Sequence, residues 1–193
     1  MDESIKELQY DAAGGLGSHV KAQANMLKEA KAYPEGLVCV PWNAGGKVLH
    51  PAHRVNEDDQ ESPRNKDFYS NLKAQAWWEF RNRVYRTHQM VTGIPMEPGG
   101  PLIKIEHDVD TLFSLPSKLP LFQKIRKELL QPVMTTGAKL KLVVDKAPEG
   151  TKSPNLADGI VMVYWPMPAV TGEFTDVGLM PAIFVGGEAF KYG

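Results

Sequence analysis

Hydrophobic and polar positions along the chain switch between two periods, and the switches mark the elements. Residues 5–10 predict a short strand, weakly patterned because Lys6, Glu7 and Gln9 interrupt it. The glycine turn Gly14-Gly15-Leu16-Gly17 follows, and residues 18–32 then set Val20, Ala24, Leu27 and Ala30 on one helical face behind Ser18, a suitable N-cap. Tyr33-Pro34-Glu35-Gly36 ends that helix, and Leu37–Trp42 reads as a buried strand. Strand, helix and strand joined by short connections make a βαβ unit, which calls for parallel pairing.

Residues 43–67 lose the pattern and predict a long loop holding the histidine pair His50 and His53. Residues 68–86 carry the strongest helical stripe, Phe68, Leu72, Ala76, Phe80 and Val84 at i, i+4, widened by Trp77 and Trp78. The Pro- and Gly-rich run 93–101 is irregular, and a short helix is expected over 117–130. Leu140–Asp145 alternates as a strand, and a last helix runs from Pro154 to about Trp165, with Ser153 as its N-cap and Pro154 at its first position. Residues 166–193, with Pro166, Pro168, Pro181 and five glycines, read as an irregular tail beyond a domain of residues 1–165.

Composition changes this picture little. A chain of 193 residues can bury one core, and 42% hydrophobic with 23% charged residues is an ordinary globular balance. A net charge of −1 announces no nucleic-acid partner, so any basic surface must be local. Two such clusters exist: Arg81, Arg83 and Arg86, and Lys124, Arg126 and Lys127. The single cysteine, Cys39, excludes an internal disulfide framework and a cysteine-rich zinc site, and reads as a buried thiol. No stretch approaches the roughly 20 apolar residues of a membrane span, and Asp2, Glu3, Lys6 and Glu7 do not make a signal peptide. An intracellular, soluble protein is expected.

Candidate chemistry centres on two acids. From Leu156 to Trp165 every residue except Asp158 and Gly159 is apolar, so that helix is expected to be buried over most of its surface. A lone carboxylate there is costly unless it is paired, hydrogen-bonded or bound to a cation. A pairing with an arginine and a functional role weigh about equally. Asp11 precedes a glycine turn, where Asp is common for conformational reasons alone. Two acids at the ends of regular elements are nonetheless what a divalent-metal site needs. The glycines do not fit the G-x-G-x-x-G spacing of a dinucleotide fold. His50 and His53 lack companion ligands for zinc, and His19, His88 and His107 belong to no motif. The three arginines are either a solvated face at a helix C-terminus or phosphate contacts.

Three stretches together give a resemblance. They are Tyr10–Gly17; Asn65–Trp78 with the arginines after it; and Val144–Asp158. In this order they resemble the C-terminal nuclease domain of the large terminase subunit of tailed bacteriophages and prophages. The resemblance implies an α/β, ribonuclease H-like mixed sheet flanked by helices, and a site of acids holding two Mg²⁺ or Mn²⁺ ions that cuts concatemeric double-stranded DNA. It places Asp11 and Asp158 as metal-binding and catalytic acids. Asn155 takes a position often acidic in that family and is a supporting ligand. Lys152, Arg81, Arg83 and Arg86 are the DNA contacts. Hard oxygen ligands suit such ions in a chain poor in cysteine.

The resemblance further implies the terminase small subunit and the portal protein as partners, in the cytoplasm of a bacterial host. It also carries a departure: the family's first strands, with the first metal-binding aspartate, and its motor domain have no counterpart before Leu8. A truncated domain with an impaired site is therefore expected; robust cutting would mean that another acid, Asp108, Asp110 or Asp145, supplies the missing ligand. Two rivals stand beside it: a non-catalytic DNA- or portal-binding module, and a ribonuclease H-like resolvase or other nuclease.

Overall fold

One helix of 21 residues stands out among short strands and shorter helices. The computed structural model describes residues 7–12, 15–34, 36–116 and 118–165. The expected tail over 166–193, and with it the boundary at 165, lies outside the described residues. Strand β1 (Glu7–Asp11) pairs in parallel with β2 (Val38–Trp42), in register from Glu7 opposite Val38 to Asp11 opposite Trp42. Helix α1 (Gly15–Glu29) makes the crossover, so the predicted βαβ unit is present. The helix starts three residues before Ser18, which lies inside it rather than capping it.

The reason for the early start is Gly17. A Cβ on this residue would fall 2.7 Å from the carbonyl oxygen of Ala12 and 2.9 Å from its Cα. Only glycine lets the first turn of α1 lie against the backbone leaving β1. In β2 the period of two puts Val40 and Trp42 in the core, both under 5% exposed. Cys39 falls on the other face and is half-buried, not buried, with its Sγ 3.2 Å from the Tyr33 hydroxyl.

The long loop after β2 is better anchored than its composition suggests. Gln75 is 2% exposed, and its amide accepts from Leu49 N at 2.7 Å and donates to Leu49 O at 3.1 Å. Buried Asn65 donates to the His50 carbonyl at 3.0 Å. A single helical turn, α2 (Asn65–Phe68), closes the loop. Tyr69 then turns extended and bridges Leu142, so the predicted helix cannot begin at 68. Helix α3 (Leu72–Thr92) starts instead behind Asn71, whose side chain accepts from Ala74 N at 2.9 Å. Its first free N–H groups, on Leu72 and Lys73, donate to the carbonyls of Gly46 and Ala44. The helix runs to Gly93, whose φ of 78° ends it.

Leu72, Ala76 and Phe80 of the predicted stripe are buried, whereas Val84 is 39% exposed, because α3 extends beyond the core. The run 93–103 is not wholly irregular: β3 (Ile94–Pro95) pairs antiparallel with β4 (Leu102–Ile103). Helix α4 (Phe122–Leu130) is shorter than predicted. It leads into β5 (Val133–Thr136), which the hydropathy pattern did not announce. Strand β5 pairs antiparallel with β6 (Leu142–Asp145), the predicted alternating strand. Helix α5 (Asn155–Tyr164) follows. Among the described residues the strands pair in twos, with parallel and antiparallel pairings both present. The core gathers Trp42, Tyr69, Leu72, Ala76, Trp77, Phe80, Val144, Ala157 and Val161, and so joins β2, α3, β6 and α5.

Candidate functional site

Helix α5 is one-sided rather than buried all round. Ala157 and Val161 are fully buried, but Val163 is 74% exposed. Asp158 lies beside the buried face, and its carboxylate pairs with the ammonium of Lys146. The two side chains are 19% and 21% exposed, so the pair is partly withdrawn from water. The partner that the apolar surroundings of Asp158 demanded is thus a lysine rather than an arginine.

Lys146 is the first residue after β6. Asp145, at the strand end, accepts from Ala147 N at 3.0 Å and turns the chain so that Lys146 meets α5. Lys73, in the first turn of α3, is drawn into the same field. Burial, and then the nearby Lys146 ammonium, push its pKa below the usual lysine value, while Asp158 and Asp145 oppose that shift. Two ammonium groups and two carboxylates therefore converge where β6, α3 and α5 meet.

The start of α5 is held from outside. Pro154 provides no side-chain cap, and Ser153 does not take that role. Glu128 of α4 does, its Oε2 accepting from Leu156 N at 2.7 Å and Ala157 N at 3.2 Å. A carboxylate there satisfies two orphan N–H groups and sits at the positive end of the helix dipole. Gln131 ties the other side, its amide donating to the carbonyl of Lys152 at 2.7 Å and to that of Lys146. Helix α4 thus fixes both the helix bearing Asp158 and the loop bearing Lys146. None of Glu128, Gln131, Lys146 and Lys73 was marked by sequence spacing, although Lys73 and Lys146 each fell inside a motif stretch.

Asp11 is exposed at the C-terminal end of β1, opposite Trp42, and Ala12 N donates to the Trp42 carbonyl at 2.9 Å. Since Trp42 shares the core with Ala157 and Val161, Asp11 stands at the strand end bordering that core. Asn155 is exposed in the first turn of α5, one turn before Asp158. Among the described residues, however, no three Asp, Glu, His or Cys side chains come together in a way that can hold a metal ion. Hard divalent ions take six or more oxygens, and a site for two ions needs several carboxylates. The described donors fall short of that.

The arginines divide. Helix α3 continues to Thr92, so they lie in mid-helix, without the favourable placement of a last turn. Arg83 is committed internally: its guanidinium donates to the carbonyls of Asp110 and Leu112 and stacks 5.7 Å from the Tyr164 ring, and burial lowers its pKa. Arg81 is exposed and lies 5.0 Å from the Trp78 ring, a cation–π contact. Arg86 is half-buried and Lys152 exposed. At a rise of about 1.5 Å per residue, the arginines begin about 12 Å along α3 from Lys73.

No family profile matches the chain, and no curated protein matches its sequence. Solved structures do match its shape. The nuclease domain of the large terminase subunit gp2 of bacterial virus Sf6 superposes with a TM-score of 0.64 at 20% identity, over 85% of this chain and 66% of that one. A lysine-to-alanine variant of that domain, with manganese and beta-thujaplicinol, gives 0.63 at 20% identity over the same shares, 85% and 66%. The variant with calcium gives 0.62 at 20% identity, over 84% of this chain and 66% of that one. This chain has the fold of a phage large terminase nuclease domain and spans 66% of the length of the structures it matches.

Proposed function

We propose that this chain is the DNA-cutting part of a terminase-like packaging protein and acts on concatemeric double-stranded DNA in the cytoplasm of a bacterial host. The observation that carries the reading is the Asp158–Lys146 pair: a shielded carboxylate at the meeting of β6, α3 and α5, in a fold shared with terminase nuclease domains. Asp158 is the central acid, Asp11 a second and Asn155 a supporting ligand. Lys146 pairs with Asp158 and fixes its position, and Lys73 adds a second positive charge that draws a phosphate toward it.

Mg²⁺ or Mn²⁺ is the cofactor this reading calls for; when bound, such an ion supplies a charge that polarises the phosphate oxygens. The donors gathered among the described residues do not complete such a site, so no step is routed through it. Double-stranded DNA is the substrate, with Lys152, Arg81 and Arg86 as outlying contacts. The terminase small subunit and the portal are the partners that a packaging role requires. Among the described residues no helix is long and apolar enough to cross a membrane.

Plasmid nicking with Mn²⁺ tests the reading. The native chain is expected to nick slowly and Asp158→Asn not at all, while Lys146→Ala alters the Mn²⁺ concentration needed. Equal nicking by Asp158→Asn would defeat the assignment. One observation favours a second reading, a binding module without catalysis: the positive charge nearest Asp158 is already a lysine. Duplex binding indifferent to metal, with no nicking under any condition, would select it.

A further inference from the structure

Helix α4 presents two faces with different tasks. Ile125, Glu128 and Leu129 turn inward: Ile125 is buried, Glu128 caps α5 and Leu129 packs on the core. Gln123, Arg126, Lys127 and Leu130, at helical spacing on the opposite side, line an open groove of about 400 Å³ whose far wall is Gln131 and Thr151. We infer that this groove seats the phosphate backbone of duplex DNA beyond the reacting phosphodiester, with Arg126 and Lys127 as the phosphate contacts. This rests on the reading of the chain as DNA-cutting and extends it to a surface outside the acid site.

Three features argue for it. No residue lining the groove is acidic: the lining is cationic or neutral, and the one acid of α4, Glu128, points away and is spent on α5. Both cations are exposed, and among the described residues neither enters an ion pair. The neutral lining includes Gln123 and Thr151, whose amide and hydroxyl are of the kind that hydrogen-bond phosphate oxygens, whereas the Gln131 amide protons are spent on the carbonyls of Lys146 and Lys152.

The groove is also mechanically continuous with the acid site. The amide of Gln131, which forms its wall, grips the carbonyls at both ends of the loop from Lys146 to Lys152, and Lys146 pairs with Asp158. A six-residue separation spans at most about 20 Å. A strand of duplex rises about 3.4 Å per nucleotide, so the groove lies within about six steps of a phosphate held at Asp158. Exposed Lys152 continues the positive charge along this path.

The test is fluorescence anisotropy of the full chain with a labelled 30-base-pair duplex, without divalent metal, across a salt series. The Arg126→Ala/Lys127→Ala double variant is compared with Lys47→Ala/Lys104→Ala, which removes the same charge from other exposed positions. The slope of log K against log salt is expected to become shallower by about two in the groove variant and to stay at the native value in the control. An unchanged slope in the groove variant, or an equal loss in the control, overturns the groove while leaving the cutting site untouched. A native chain that binds no duplex at any salt overturns both. A slope that falls as expected in a protein that never nicks DNA sustains the groove and removes the cutting.

Discussion

A carboxylate placed at a helix start is worth most where it reaches N–H groups that nothing else satisfies. Glu128 reaches two of them on α5 from another helix, with its side chain 13% exposed and so little diluted by water. Glu128→Ala is expected to cost about 1–2 kcal/mol, the upper part of the usual capping range, in urea denaturation. Ser153→Ala, at the position the sequence nominates as the cap, is expected to change little. A comparable loss at Ser153 would show that the cap lies where the local sequence puts it. Asp158 was legible as a lone charge in an apolar run, because burial of a charge requires a partner wherever that partner comes from. The partner's identity was not legible, since Lys146 meets it only through the turn at Asp145.

At the scale of elements, helical stripes and the βαβ unit could be read directly, because each depends on a period within one segment. Boundaries could not. The start of α3 is decided by Tyr69 pairing with Leu142, 73 residues further on, and by loop carbonyls receiving its first N–H groups. Strand β5 was hidden because its four residues form only by pairing with β6. Helix α1 gives the sharpest case. Alanine normally stabilises a helix interior by about 1 kcal/mol over glycine. Gly17→Ala should do the reverse, costing about 1–3 kcal/mol, because its Cβ would meet the Ala12 backbone at 2.7 Å. A raised urea midpoint in that variant would show that α1 does not sit tightly against the end of β1. The same shift would move Asp11, whose chain neighbour Ala12 receives the contact.

For the molecule as a whole, the core is a helix-centred assembly in which Tyr69 is the polar member. It is 1% exposed, donates to Glu79 at 3.1 Å, and its pKa is raised first by burial and then by the Glu79 charge. Below the ordinary tyrosine value of 10.0 both folded and unfolded chains keep the proton, so this group adds no pH dependence. Above it the unfolded chain ionises while the folded one does not, and stability falls with rising pH. Tyr69→Phe is expected to cost about 1–2 kcal/mol near neutrality for the lost hydrogen bond. That deficit should narrow between about pH 9 and 11 in urea melts. A deficit constant across that range would mean that Tyr69 titrates in the fold as it does in solvent.

Buried indoles also give the molecule an optical consequence. All four tryptophans lie in the described part: Trp42 and Trp77 are nearly inaccessible, and they and Trp165 keep indole N–H groups with no hydrogen-bond partner among the described residues. Such rings emit at short wavelength and shift red when water reaches them, so intrinsic fluorescence reports the joint of β2, α3 and α5 without a label. Trp78, half-buried like Trp165, differs from the other three in lying beneath the Arg81 guanidinium. A ligand that draws Arg81 away would change the brightness of one indole while leaving the colour of the other three intact.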